Sequence, residues 1–281
     1  MLNIPECVPG ETVAAVTGPA FALFPIVSPG GNVIDRDQLL QALDAELQPD
    51  SFGDYCPNGL QVEGRPQIRR IVSGVTASLA LIEAAIEAGA DLILVHHGYF
   101  WKGEALEVTG MKRERIRRLL EHDINLVAYH LPLDAHPTLG NNTRLAEELG
   151  FHIDGPLRED GVGQYGRPAA ELSAPALQSH ITRVLGRDCL LVPGGDHPVR
   201  RVAWCTGGAQ SLLTTAAAHG VDAYISGEIS EQTVHVAREA GIHYFAAGHH
   251  ATERDGARAL GARLADVFKL QHAFIDVDNP A

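Results

Sequence analysis

Two stretches of this chain can be laid on each other, and that repeat limits the fold more than any other feature. The segment RIVSGVTASLALIEAAIEAGADLILVHHG resembles RVAWCTGGAQSLLTTAAAHGVDAYISGE, with Ile71 on Val202 and Gly89 on Gly220, both at an offset of 131 residues. Each stretch reads as an apolar strand, a helix and a second apolar strand. A third match, INLVAYHLPLD on IHYFAAGHHAT, puts Ile124 on Ile242 at an offset of 118, so it needs a gap. Such a pattern predicts an α/β fold built from two similar domains by internal duplication.

The local signals agree. Strands are expected at 70–73, 91–95, 125–129, 201–205, 223–226, 242–246 and 272–277. Runs this apolar suit mostly parallel sheets with helices on both faces. Between them, Leu79, Ile82 and Ile86 follow helical spacing and Gly89 supplies a stop. A basic-faced helix over 111–122 should turn Ile116, Leu119 and Leu120 inward. Short helices should end at Gly150, Gly220 and Gly241, and a last one should bury Leu260, Leu264 and Phe268. Strand–helix–strand alternation implies right-handed crossovers. The chain divides into an extension of uncertain order (1–33), a first α/β unit (34–135) and a second (136–281), whose last strands are free to return to the first. The run 14–28 is too short for a bilayer and carries Pro19 and Pro25. It also lacks the basic start of a secretory signal.

Three of these strands run into potential metal ligands. The first leads into His96-His97-Gly98, the second into His130 through Asp134 to His136, and the third into His249-His250 and Glu253. Open α/β sheets bind ligands outside the carboxyl ends of their strands, so all three segments reach one edge. Thr252 with Asp255 reads as a helix cap, which places Glu253 in a first helical turn and His249 on the preceding loop. His96 and His97 would face opposite ways in a regular strand, and Gly98 lets the chain turn so that both reach the cleft. Three imidazoles and two carboxylates exceed the three protein ligands of one catalytic zinc. A pair of cations about 3.5–4 Å apart, bridged by Asp134 or Glu253 and sharing a hydroxide, accounts for them. Such a nitrogen and oxygen set suits zinc, iron or manganese. Each residue also has a plain structural reading: a hydrogen-bonded histidine pair, a turn aspartate, a helix-start glutamate.

The charge balance narrows the partners. Acidic residues outnumber basic ones 35 to 22, for a net charge of −13, which argues against nucleic acid. Four cysteines without a CxxC pair fit a reducing cytoplasm.

The motifs DYCPNGLQVEG, LILVHHGYFWKGE, INLVAYHLPLDAHPTLGNN, SGEISEQTVHVAREAG and AAGHHATERDGARAL, in that order, resemble those of the NIF-three-like dinuclear metal-centre proteins, also described as GTP cyclohydrolase type 2 homologues. The resemblance runs from about residue 34 to 281. It implies two similar domains with a paired divalent metal site between them, ring-shaped homohexamers, and ligands at His96, His97, Asp134, His249 and Glu253. The link after Gly150 is too short for the extra domain some members carry. His130, His136 and His250 are expected to orient ligands from behind, and Glu228 to cap or meet solvent. Asn58, Tyr99, Lys102 and Glu104 are weaker cleft candidates. The expected activity is metal-dependent hydrolysis of a small, nucleotide-like substrate; no Walker-type glycine loop is present. The alternatives are a non-catalytic metal-dependent scaffold or regulatory module, and metal storage or delivery.

Overall fold

Seven apolar strand segments with helices between them can hide their side chains only by stacking in layers, and two such stacks form. The computed structural model describes residues 32–281; the expected extension falls almost wholly outside these residues. The first sheet has five strands in the spatial order Gln271–Phe274, Arg70–Thr76, Leu92–His97, Asn125–Ala128 and Gly59–Val62. The first four are mutually parallel and the last is antiparallel. The second has six, in the order Phe151–Pro156, Gln164–Pro168, Val202–Cys205, Ala223–Ser226, His243–Ala246 and Leu190–Val192. Its parallel centre is flanked by antiparallel strands. A two-stranded ribbon pairs Ile34–Asp35 with Gln67–Ile68.

Helices cover both faces of each sheet. One face of the first packs Leu81, Ile82 and Leu119 against Val72, Ile93 and Val95; the other packs Leu39, Leu43, Leu260 and Leu264 against Ile71, Leu92 and Leu94. In the second sheet Trp204, Ile225 and Phe245 meet Leu145, Leu177 and Ile181, while Tyr224 and Tyr244 meet Leu213 and Ala237. Leu120, expected inward, is exposed, because Leu119 takes the core position on that helix.

The sequence offsets reappear as strand register. Ile71 pairs with Leu92 as Val202 pairs with Ala223, and Leu92 pairs with Asn125 as Ala223 pairs with His243. The antiparallel edge strands have no place in the repeat. Phe151–Pro156 and Gln164–Pro168 form a hairpin, while Leu190–Val192 and Gly59–Val62 pair with strands well separated from them in sequence. The final helix, Arg254–Phe268, and the final strand leave the second sheet and complete the first.

Candidate metal centre

His96 and His97 close the Leu92–His97 strand, and their rings lie 4.5 Å apart. Gly98 lets the chain leave there, since a β-carbon would meet the Gln61 side chain at 2.1 Å. Asp134 sits in the single-turn helix Leu131–Ala135 after the Asn125–Ala128 strand. From the second sheet, the His243–Ala246 strand leads through Gly248, φ +101°, into the turn His249–Thr252. The expected Thr252 cap does not form. Its hydroxyl donates back to the Gly248 and His249 carbonyl region and accepts the Gly207 N–H. His249 therefore lies on a helical turn rather than a loop, and Glu253 joins that turn to the last helix.

Every imidazole is held at Nδ1. His96 Nδ1 donates to the Tyr129 carbonyl at 3.0 Å, His97 Nδ1 meets Thr76 Oγ1 at 3.1 Å, and His249 Nδ1 donates to Glu228 at 2.7 Å. That leaves the three Nε2 atoms turned toward carboxylates. His96 Nε2 stands 3.4 Å from Asp134 Oδ1 and 3.6 Å from Glu253 Oε1; His97 and His249 Nε2 each stand 3.2 Å from Glu253 Oε2. Asp134 Oδ1 also accepts from Asn141 and Thr206. His96 Nε2 and Glu253 Oε2 are buried with no hydrogen-bond partner. Buried acceptors aimed at one another are costly unless positive charge lies among them. The donors fall into two groups able to hold a metal ion, His97 with His249 and Glu253, and His96 with Asp134 and Glu253. Glu253 belongs to both and Asp134 to one.

The titration of the cluster shows the same demand for positive charge. Burial pushes the His96 imidazole down, but Asp134 and Glu253 push it up more, to about 9. Burial likewise opposes protonation of His249, and Glu253 and Glu228 overcome it, again to about 9. His97 is held down to about 3, mainly by burial. Burial would raise Glu253, yet the surrounding histidines hold it well below the usual carboxylate range; Asp134 is raised, chiefly by burial.

The remaining histidines take different places. His130 lines the cleft and its Nδ1 donates to Asp54 Oδ1 at 2.8 Å. His96, His97 and His130 form another group able to hold an ion, as do Asp54, Cys56 and His130. His136 accepts the Thr138 and Leu139 amides and faces Glu46. His250 binds Asp276 near the end of the chain. Glu228 is exposed, as expected, and from there it also orients His249 and accepts from Gln210. Tyr99 is buried on the Ala77 carbonyl, Glu104 braces the Trp101 amide, and Asn58 ties Asp54 to the His130 amide. The Lys102 amide donates to the Tyr55 carbonyl.

Asp54, Thr76, Tyr55 and Trp101 escaped sequence reasoning, although three of them lie in or beside quoted motifs. The cleft beside these donors measures about 350 Å³, and Tyr55, Trp101, His130, Arg158, Thr206 and Leu212 are among the residues lining it.

Comparison with known proteins matches this geometry to a family. A protein of Pseudomonas aeruginosa named GTP cyclohydrolase 1 type 2 homolog is 56% identical over 246 residues, covering 86% of this chain and 97% of its own length. One of the same name from Escherichia coli is 51% identical over 245 residues, covering 87% and 98%. Among solved structures, protein ybgI, described as of unknown function, superposes with a TM-score of 0.86 at 50% identity over 88% of this chain and all of its own. TTHA1606 of Thermus thermophilus superposes with a TM-score of 0.81 at 34% identity, over 88% of this chain and all of its own. The Duf34/NIF3 (NGG1p interacting factor 3) family model matches residues 34–280, and the chain belongs to that family.

Proposed function

We propose that this protein is a dinuclear metal-dependent hydrolase of a small, nucleotide-like substrate, with His96, His97, Asp134, His249 and Glu253 holding two divalent ions of zinc, iron or manganese. One observation carries the reading: Glu253, buried and with an oxygen lacking any hydrogen bond, stands between two sets of donors. Two adjacent ions would lower the pKa of water and steady developing negative charge on the substrate. The chain's own groups supply the rest. Tyr129, Thr76 and Glu228 fix the three imidazoles so that Nε2 faces inward, and such outer partners set ligand orientation and basicity. Asp54 holds His130 with its other nitrogen free to give or take a proton at the substrate. Arg158, ion-paired with Asp160, also lines the cleft and would bring positive charge near an anionic group.

The name GTP cyclohydrolase 1 type 2 homolog carried by the relatives supports a nucleotide-like substrate. A cytoplasmic location fits the buried free thiols of Cys56, Cys189 and Cys205. We infer a homohexamer, for which exposed Leu106, Val108 and Met111 offer apolar contact surface. No helix among the described residues is long and apolar enough to cross a membrane.

Elemental analysis tests the site. The purified protein should hold two equivalents of metal, Asp134→Asn about one, and Glu253→Gln close to none, with turnover of small nucleotides lost in both variants. Two tightly held equivalents in Glu253→Gln would refute the shared carboxylate, and full metal content without turnover of any small substrate would refute the hydrolase.

A further inference from the structure

Two large aromatic rings stand at the mouth of the cleft. Tyr55 is 52% exposed, and Trp101 is half-buried. The indole is held by hydrogen bonds and the backbones carrying the two rings are joined. The Lys102 amide donates to the Tyr55 carbonyl at 2.7 Å, tying the two loops together. Trp101 Nε1 donates to the Gly98 carbonyl at 3.2 Å, and its amide donates to Glu104 at 3.1 Å. Phe100, just before it, has φ +65°, a left-handed conformation that a bulky side chain adopts only under constraint. The backbone is thus bent to set the indole where it stands.

The rings form one wall with the metal centre. Tyr55 and Trp101 lie 5.9 Å apart between centroids, both meet His130 edge-on at about 5 Å, and Trp101 lies 5.9 Å from His97. A continuous aromatic surface runs from a proposed ligand to the rim of a cavity large enough for a small molecule. An exposed tyrosine and a half-buried tryptophan beside such a cavity leave ring surface uncovered by the folded core. A flat π-system laid on them would gain dispersion and stacking energy, whatever its ring substituents.

We propose that Tyr55 and Trp101 bind the planar heteroaromatic ring of the substrate and hold its polar end over the metal centre. The inference rests on the hydrolase reading for what the polar end does, and on the aromatic wall alone for the ring. These are positioning residues, and selectivity for a ring over a sugar or chain is their function.

Chain fluorescence offers a direct readout, because the only other tryptophan, Trp204, is fully buried. Metal-loaded protein is titrated with guanosine 5′-monophosphate and with ribose 5-phosphate, following fluorescence and calorimetric heat. The nucleotide should quench Trp101 and bind about tenfold or more tightly than the sugar phosphate. Trp101→Leu and Tyr55→Leu should each erase most of that difference while keeping their metal content and the Trp204 emission. Equal affinity for the two probes, nucleotide affinity unchanged in both variants, or no nucleotide binding at millimolar concentration would overturn the proposal. The two readings fail separately: ring-independent hydrolysis of phosphates would leave the hydrolase standing, whereas ring-selective binding without turnover would leave the aromatic wall standing.

Discussion

Gly207 contributes no side chain to the proposed metal centre, yet its lack of one leaves room for Glu253 and His249. Its φ is +67°, and a β-carbon there would sit 2.0 Å from Glu253 Oε1 and 3.1 Å from His249 Nε2. Gly207→Ala is therefore expected to displace the shared carboxylate. Metal affinity should fall at least about tenfold, as it does when groups behind a ligand are disturbed, and the left-handed backbone adds roughly 1–2 kcal/mol of strain. Metal titration by calorimetry beside urea unfolding separates the two effects, and unchanged affinity would show that Glu253 has room to move. The glycine explains why the site was legible only in part. Strand ends announce His96, His97 and His249 because apolar runs lead straight into them. Nothing in the spelling of Thr206-Gly207-Gly208 shows that it closes the floor, since close approach is a fact of three dimensions. Asp54 and Thr76 were hidden for a related reason: each meets its histidine across a sheet or loop rather than along the chain.

At the scale of elements, the repeat extends to particular side-chain bonds. Asp91 Oδ2 accepts the amides of Arg69 and Arg70; Asp222 Oδ2, 131 residues on, accepts those of Arg200 and Arg201. Each carboxylate pins the start of one strand to the start of the next. Asp91→Ala and Asp222→Ala should each cost about 1–3 kcal/mol through stranded backbone donors, read as a shift in urea midpoint, and one change that proves silent would break the equivalence. The central strands of both sheets were legible because fully buried parallel strands are written as apolar runs. The hairpin 151–168 and the strand Gly59–Val62 were not, since their half-exposed sequences mix polar and apolar residues without a clear period; the helix Ala174–Leu185 was passed over although Leu177, Ile181 and Leu185 follow helical spacing between Ser173 and Gly186. The final strand carries its own titration. Burial lowers His272 from 6.5 to about 4, and its ring meets Ser73 Oγ at 2.8 Å. With the folded pKa depressed, the stabilisation is complete above 6.5 and disappears as pH falls toward 4. About 2 kcal/mol of stability should be lost between pH 7.5 and 5 through this group. The loss should shrink in His272→Gln, and an identical pH dependence in the variant would count against it.

For the molecule as a whole, the proposed metal centre would also act as a fastener. Its donors come from both sheets, three from the first and two from the segment after the second. Ions bound there stabilise the folded state by mass action, by about 2.7 kcal/mol at a hundred times the dissociation constant. Exhaustive chelation should lower the melting temperature by roughly 5–10 °C, and re-addition of metal should restore it. A melting curve indifferent to chelator would place the ions outside the fold's energetics. The route of the chain adds a further constraint. The first sheet borrows its edge strand and one covering helix from residues 254–274. On the ribosome, the earlier part must wait with one face of its apolar strands uncovered until that segment emerges. Closure then joins segments about two hundred residues apart, the kind of long-range pairing that slows folding. Nascent chains that have not yet made residues 254–274 would therefore be exposed to aggregation and in need of chaperone cover.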